Sequence, residues 1–260
     1  MNTNILKLLL FIPLPSILFY YNNIIQWYIG YCGIFVYLTY TYLYKLSYNN
    51  VYFAISITPK NYIEPIRGSH KLISYGFSTI HALFISICST LYLLNIINNF
   101  DIKQAFFISI AYYFADLYYV IDSTNKLKLL DYFTICHHNV MIIMYYIIFI
   151  QINNDLQLEN TLLYYINRGL FAEYSVFTLN YSWYLVNTKQ ENTNKMLISS
   201  VLTLILYFVT RVLNFTRLIF NFWYDDLILT IILMMPLFLV NYYWFYKLCC
   251  KAKQVYNKNK

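Results

Sequence analysis

Apolar runs of about 20 residues recur along this chain, and they constrain its fold more than any other feature. Of its 260 residues, 60% are hydrophobic and only 11% are charged, which excludes both a soluble globular domain and a disordered chain. A run of this length crosses a bilayer as an α-helix, because each backbone polar group must find its partner within the segment. The sequence therefore predicts an all-α, polytopic membrane helix bundle.

We predict about seven transmembrane helices, with six to eight as the range. They lie near residues 24–46, 72–97, 105–121, 132–151, 161–186, 197–218 and 227–247. A further apolar stretch over residues 5–21 contains Pro13 and Pro15, and it either forms a broken membrane helix or lies in the interface. The predicted organisation is an N-terminal part over 1–69 with the first transmembrane helix and a cytosolic loop, one helical domain over 70–250, and a basic cytosolic tail over 251–260.

Lysine and arginine are distributed unequally between the two sides of the predicted bundle. They concentrate in the loops 47–71, 122–131 and 187–196 and in the tail, whereas the opposite loops offer only Lys103 and the flanking Arg217. The positive-inside rule therefore predicts a cytosolic C-terminus. The net charge of +7 is scattered among these loops, so it does not indicate a nucleic-acid partner.

The cysteines show no paired or metal-binding spacing, so we expect reduced thiols and no bound metal. Cys249 and Cys250 come directly after the last apolar run. S-palmitoylation and the absence of any role are both open for this pair.

Ionisable residues inside the predicted spans are the candidate functional residues, because such groups are costly in hydrocarbon. The set comprises His81, Asp116, His137, His138, Arg168, Glu173 and Arg211. A helical rise of about 1.5 Å per residue places the aspartate and the histidines about 8 to 14 Å from the cytosolic side. It places Glu173 and Arg211 near 20 Å and Arg168 close to the far interface, so the residues form two predicted layers.

The cytosol-side layer combines a carboxylate with imidazoles, which can accept a proton at physiological pH. We take Asp116, His137 and His138 as candidate catalytic residues. Adjacent residues on a helix diverge by about 100°, so one histidine would be catalytic while the other braces a neighbouring helix. A purely structural contact between His and Asp is the open alternative. The other ionisable residues are candidates for lining a ligand cavity. We expect an ion pair between Glu173 and Arg211, for which a structural role is the open alternative because a paired buried charge is less free to react.

Six motifs in order resemble the TLC-domain family, which includes the ceramide synthases. They are FSTIHALFIS, AYYFADLYYVI, DYFTICHH, INRGLFAEYSVFTLNYSWYL, VTRVLNF and NYYWFYKL, which together cover roughly residues 70–252. Their order and spacing most resemble the TLC domain-containing protein 4 type. The resemblance implies a membrane helix bundle around a polar cavity, in the endoplasmic reticulum or a related membrane.

The resemblance also implies two alternatives for activity. In ceramide synthases the equivalent of His137 and His138 belongs to an active site that transfers an acyl chain from acyl-CoA to a sphingoid amine. The aspartates that those enzymes carry on the following helix are absent here, where the nearby acid is Glu173. The LFAE segment is more similar to the smaller relatives, which are associated with membrane lipid composition.

Our first functional hypothesis is therefore a protein that binds lipid or acyl-lipid and influences membrane lipid homeostasis, with membrane lipids as its partners. The alternative is an acyl-CoA-dependent N-acyltransferase that uses the histidine pair, so the question of enzymatic activity stays open. We expect no cofactor in either case, and acyl-CoA would be a substrate. A transporter is a third class, but the chain shows no inverted repeat.

Overall fold

The fold is known from a computed structural model, which describes residues 33, 36–41, 69–122, 129–151 and 156–258. The predicted N-terminal stretch over 5–21 lies outside the described residues. Most of the first predicted span also lies outside them, although residues 33 and 36–41 are helical.

The described residues are almost all helical, and they include no β-strand. The α-helices in chain order are α1 Ser69–Leu93, α2 Asn99–Asp122, α3 Leu129–Gln151, α4 Leu156–Leu170, α5 Tyr174–Asn187, α6 Asn194–Tyr207, α7 Asn214–Tyr224 and α8 Ile228–Lys258. A 3₁₀ turn over Phe171–Glu173 joins α4 to α5, and a π-helical turn over Phe208–Leu213 joins α6 to α7.

The all-α prediction is confirmed, and helical segments cover the last six of the predicted spans. Three segments are long and apolar enough to cross a membrane within the described part of the chain: Tyr75–Leu93, Asn194–Tyr224 and Thr230–Asn257. The chain is therefore an integral membrane protein. The spans predicted around α2, α3 and the α4–α5 pair stay predictions.

The chain divides into two compact units. The first comprises Met1–Asn49 and Ile97–Leu163, and the second comprises Asn50–Ile96 and Tyr164–Lys260. In the first unit α2 packs against α3, and Phe106 stacks on Tyr145 at a centroid distance of 4.6 Å. Lys103, near the start of α2, forms an ion pair with the buried Glu159 of α4.

In the second unit α5 packs against both α1 and α6, and α6 packs against α8. Polar side chains connect these helices. The Asn180 amide on α5 donates to the Thr79 hydroxyl on α1 at 2.9 Å, and Ser182 on α5 is bonded to Ser199 on α6 at 2.7 Å. Such hydrogen bonds help to fix which helices pair in a membrane, where apolar contact alone discriminates little.

The connection between α5 and α6 is tight. Lys189 adopts a φ of 57°, which reverses the chain just after α5 ends. Thr193 then caps α6, because its hydroxyl accepts a hydrogen bond from the Met196 amide at 3.3 Å. Beyond this turn Leu185, Met196 and Val255 form a small buried cluster, so the last turns of α8 are held against the hairpin of α5 and α6.

Candidate functional site

The first cluster of candidate residues lies in the first compact unit, where α2 and α3 pack together. His138 Nδ1 is 3.8 Å from Asp116 Oδ2, and both residues are buried. This distance exceeds that of a direct hydrogen bond, so the two groups interact mainly through charge when the imidazole is protonated. The structure thus brings Asp116 together with His138, one of the two adjacent histidines.

Aromatic rings surround the imidazoles. The centre of the Tyr113 ring lies 4.8 Å from the centre of the His138 ring. The centre of the Tyr112 ring lies 6.0 Å from that of His138, and the two ring planes meet at a steep angle. His137 is more accessible than His138, and its ring contacts the edge of Tyr113 at 6.3 Å. The two histidines therefore have different surroundings: His138 is packed within the helix pair, whereas His137 is only half-buried.

The second cluster lies in the second compact unit, around Arg211 on the π-helical turn. Arg211 Nε donates to the Ala172 carbonyl at 3.1 Å and to Ser175 Oγ at 2.8 Å. Arg211 Nη2 is 3.7 Å from Glu173 Oε1, so the structure brings the predicted ion pair together. Ala172 and Glu173 belong to the 3₁₀ turn, so the two irregular turns of the described chain meet at this guanidinium.

Two further side chains, those of Asn241 and Tyr207, contact Arg211. Arg211 Nη1 donates to Asn241 Oδ1 of α8 at 3.2 Å, and the same oxygen accepts from the Tyr207 hydroxyl at 3.0 Å. The guanidinium carbon also lies 5.2 Å from the centre of the Tyr207 ring, which is a cation–π distance. The Asn241 amide nitrogen donates to the Leu237 carbonyl at 2.9 Å, which fixes the orientation of its oxygen. We call these five residues, Glu173, Ser175, Tyr207, Arg211 and Asn241, the Arg211 cluster.

The remaining candidates occupy other positions in the second unit. His81 on α1 is 2% exposed and belongs to the buried interior of that unit. Arg168 on α4 is half-buried, and its Nη1 donates to the Tyr164 hydroxyl one helical turn earlier at 3.4 Å. The Arg168 carbonyl accepts a short hydrogen bond, 2.6 Å, from the Asn214 amide of α7.

The geometry defines what each cluster can do chemically. The guanidinium directs its Nη2 group toward Glu173 at a distance longer than a hydrogen bond. Among the described residues no acceptor is hydrogen-bonded to Nη2, so an oxygen of a bound molecule could accept there.

The Asp116–His138 pair can orient an imidazole for proton transfer. Within the part of the chain that the structure describes, no three metal-ligating side chains come together.

Sequence reasoning did not identify Ser175, Tyr207 or Asn241. Two of them carried a usable signal, because Tyr207 precedes Arg211 by one helical turn and Asn241 is an isolated amide within an apolar span. The tyrosines beside the histidines carried none, since they are two among the 31 tyrosines of the chain.

An all-helical membrane protein with buried ionisable clusters is the class of protein that this fold and these sites define. A family model described as the TLC domain matches residues 67–250, and the chain therefore belongs to the TLC-domain family. This confirms the resemblance at the level of the family. Comparisons with curated proteins and with solved structures found no match.

Proposed function

We propose that this protein binds a lipid or acyl-lipid within its helix bundle and thereby influences the lipid composition of its membrane. The observation that carries the proposal is the Arg211 cluster, in which a guanidinium lies within an apolar membrane span and keeps an Nη2 group beside Glu173 at 3.7 Å. A charge inside the hydrocarbon region is costly, so its presence favours a role in recognition over simple packing.

The chemistry of the cluster suits the polar part of a lipid. A guanidinium binds phosphate, carboxylate or carbonyl oxygens through its planar N–H groups. Arg211 is held by acceptors on the 3₁₀ turn and on α8, so its donors are oriented before a ligand arrives. Glu173 beside it favours a ligand that is neutral overall or carries its own cationic group, because a lone anion would be repelled.

The same proposal includes the type within the family, the membrane in which the protein resides and the side of the membrane on which its C-terminus lies. Within the family we place the chain with the TLC domain-containing protein 4 type, on the strength of the order and spacing of the six motifs. We also propose residence in the endoplasmic reticulum or a related membrane, with the C-terminus in the cytosol, because the basic loops lie on the side of the tail.

Lipid that co-purifies with the protein tests this proposal. Arg211→Lys keeps the positive charge but removes the planar fork of donors, and we expect the affinity for lipid to fall about tenfold, which corresponds to about 1.4 kcal/mol. The variant should therefore retain less lipid per protein through purification. The matched control is Arg217→Lys, because Arg217 is exposed on α7 and belongs to no described contact of the cluster. Lipids extracted from protein purified in mild detergent would be quantified by mass spectrometry.

A wild-type protein without bound lipid would refute lipid binding. Equal lipid in the Arg211→Lys and Arg217→Lys proteins would refute the role of the Arg211 cluster. Protein of each variant would be compared at matched amounts and with a single symmetric elution peak, so that loss of fold is not mistaken for loss of lipid.

The second candidate function is an acyl-CoA-dependent N-acyltransferase, and the contact between His138 and Asp116 favours it. Asp116 would orient the ring of His138, which would act as general base toward a long-chain amine. The distance of 3.8 Å does not exclude this role, because catalytic hydrogen bonds often shorten only when substrate is bound. An N-acyl product formed from acyl-CoA and a long-chain amine by the purified protein tests it.

A further inference from the structure

The last helix, α8, is longer than a bilayer requires. It runs from Ile228 to Lys258, which is 31 residues or about 46 Å, whereas the hydrocarbon core is about 30 Å thick. Its apolar part ends at Tyr246, just before the charged Lys247. Cys249 and Cys250 therefore follow the hydrocarbon boundary by about 5 Å, at the depth of the lipid head groups.

Among the described residues of α8, those on one side are buried or half-buried and those on the other side are exposed. Asn241 and Val255 are buried, and Leu248 and Ala252 between them are half-buried. Cys250 follows Asn241 by nine residues. At about 100° per residue, it therefore lies on the side of the helix opposite Asn241. Tyr246 is 63% exposed and lies on the same side as Cys250, one turn earlier.

The end of α8 is held in place. Val255 is 3% exposed because it packs on Leu185 and Met196, at the hairpin of α5 and α6. The helix therefore continues past the two cysteines without a break and is packed against the protein beyond them. Both thiols are free and exposed on a segment that is anchored on each side.

The residues around the cysteines suit a membrane interface. Tyr243 and Tyr246 precede them, and Lys247 lies over the Tyr243 ring at 5.4 Å. Exposed lysines at 251 and 253 follow. Tyrosines at the edge of the hydrocarbon and lysines among the head groups are the arrangement expected where a helix leaves the bilayer toward the cytosol.

We propose that Cys249 and Cys250 form an S-acylation site, modified by a long-chain acyl-CoA thioester. The cysteine thiolate attacks the thioester carbonyl, a new carbon–sulfur bond forms on the protein, and the bond to the sulfur of coenzyme A breaks. Coenzyme A leaves as a thiolate and takes up the proton that the cysteine thiol lost, so that it is released as a thiol and no oxidant or reductant is needed. The attached chain inserts into the bilayer beside Tyr246, on the side of α8 that the protein does not cover.

This proposal does not depend on lipid binding at the Arg211 cluster. It does depend on a cytosolic C-terminus, because acyl-CoA is a soluble donor on that side. Cysteines next to a membrane span are common sites of S-palmitoylation. The attached chain would fix the depth in the membrane of the α8 segment between Lys247 and Val255.

Acyl-PEG exchange on the full-length chain, expressed in a eukaryotic host and assayed in membranes, tests the proposal. Free thiols are blocked, hydroxylamine cleaves thioesters, and a PEG-maleimide then adds a mass tag to each released thiol. We expect a hydroxylamine-dependent shift in the wild type and its complete loss in the double variant Cys249→Ala/Cys250→Ala. The matched control is Cys88→Ala/Cys136→Ala, which should retain the shift, because Cys88 is half-buried on α1 and Cys136 lies within the predicted span of α3.

A wild type without a hydroxylamine-dependent shift would overturn the proposal, as would a shift that survives in Cys249→Ala/Cys250→Ala. Sealed vesicles treated with a membrane-impermeant PEG-maleimide after hydroxylamine provide the second measurement. Tagging in intact vesicles whose cytosolic face is outward is the expected result, and tagging only after permeabilisation would place the site on the wrong side for an acyl-CoA donor.

Discussion

Arg211→Leu is expected to destabilise the protein more than any other single change considered. The substitution removes three hydrogen bonds, to Ala172, Ser175 and Asn241, and takes the guanidinium away from the buried carboxylate of Glu173. Breaking a buried ion pair by removing one partner costs about 3 kcal/mol or more. We expect a clear fall in the thermal midpoint in detergent and a reduced yield of folded protein.

The control for this experiment is Arg217→Leu, which removes the same charge from an exposed position on α7. A surface change of this kind should alter stability by no more than about 0.5 kcal/mol. Glu173→Gln is an informative companion, because it removes the charge and keeps the hydrogen bonds that Arg211 makes elsewhere. Its cost should therefore fall between those of the two arginine variants. Equal melting of Arg211→Leu and Arg217→Leu would contradict the role assigned to the cluster.

The second large effect is expected at the histidine pair, where the two residues should behave differently. His138→Ala removes a buried ring that packs on Tyr113 and faces Asp116, and we expect it to cost about 2 kcal/mol. His137 is half-buried, so His137→Ala should cost less than about 1 kcal/mol. Thermal unfolding of the two purified variants measures this difference, and Asn139→Ala on the exposed side of α3 is the control.

The same proteins separate a structural histidine from a catalytic one. The lipid-binding proposal predicts that wild type, His137→Ala and His138→Ala all fail to form an N-acyl product from acyl-CoA and a long-chain amine. A product made by the wild type and lost in His138→Ala, at matched folded protein, would establish the acyltransferase and identify His138 as its base. If His137→Ala and His138→Ala proved equally stable, the packing role assigned to His138 would be wrong.

The helical architecture was predictable from the sequence because the length of each apolar run is itself the signal. The predicted span over 72–97 corresponds to α1 at Ser69–Leu93, and that over 227–247 to the first part of α8. Hydropathy predicts where the latter span leaves the membrane, but it does not predict where the helix ends. The helix continues to Lys258 because Val255 packs against α5 and α6, a contact that hydropathy does not report.

The two irregular turns were not predictable. The residues of the 3₁₀ turn at Phe171–Glu173 and of the π turn at Phe208–Leu213 read as ordinary helix, because their composition contains no helix breaker. Both turns meet at Arg211, whose hydrogen bonds to Ala172 and Ser175 connect segments 36 to 39 residues apart. π-helical turns occur often at functional sites, so this position supports the role proposed for Arg211.

The candidate site was predictable in part. Charge within an apolar span was sufficient to single out Asp116, Glu173 and Arg211, since such residues are rare there. The helical angle of about 100° also predicted that the two histidines would have different surroundings. Which of them faces Asp116 depends on how α2 and α3 are rotated in their packing, and local sequence does not encode that rotation. Asn241 is an isolated amide within an apolar span, but only its hydrogen bonds with Arg211 and Tyr207 show that it belongs to the Arg211 cluster.

The central claim is that the protein acts on membrane lipid composition by binding lipid. Its most direct test is quantitative lipid mass spectrometry of cells that lack their own ceramide synthases, with and without this protein at a measured expression level. We predict a shift in bulk membrane lipids that disappears with Arg211→Lys and persists with Arg217→Lys, without a new N-acyl lipid. A lipid profile that is unchanged by expression of the folded wild-type protein would contradict the claim.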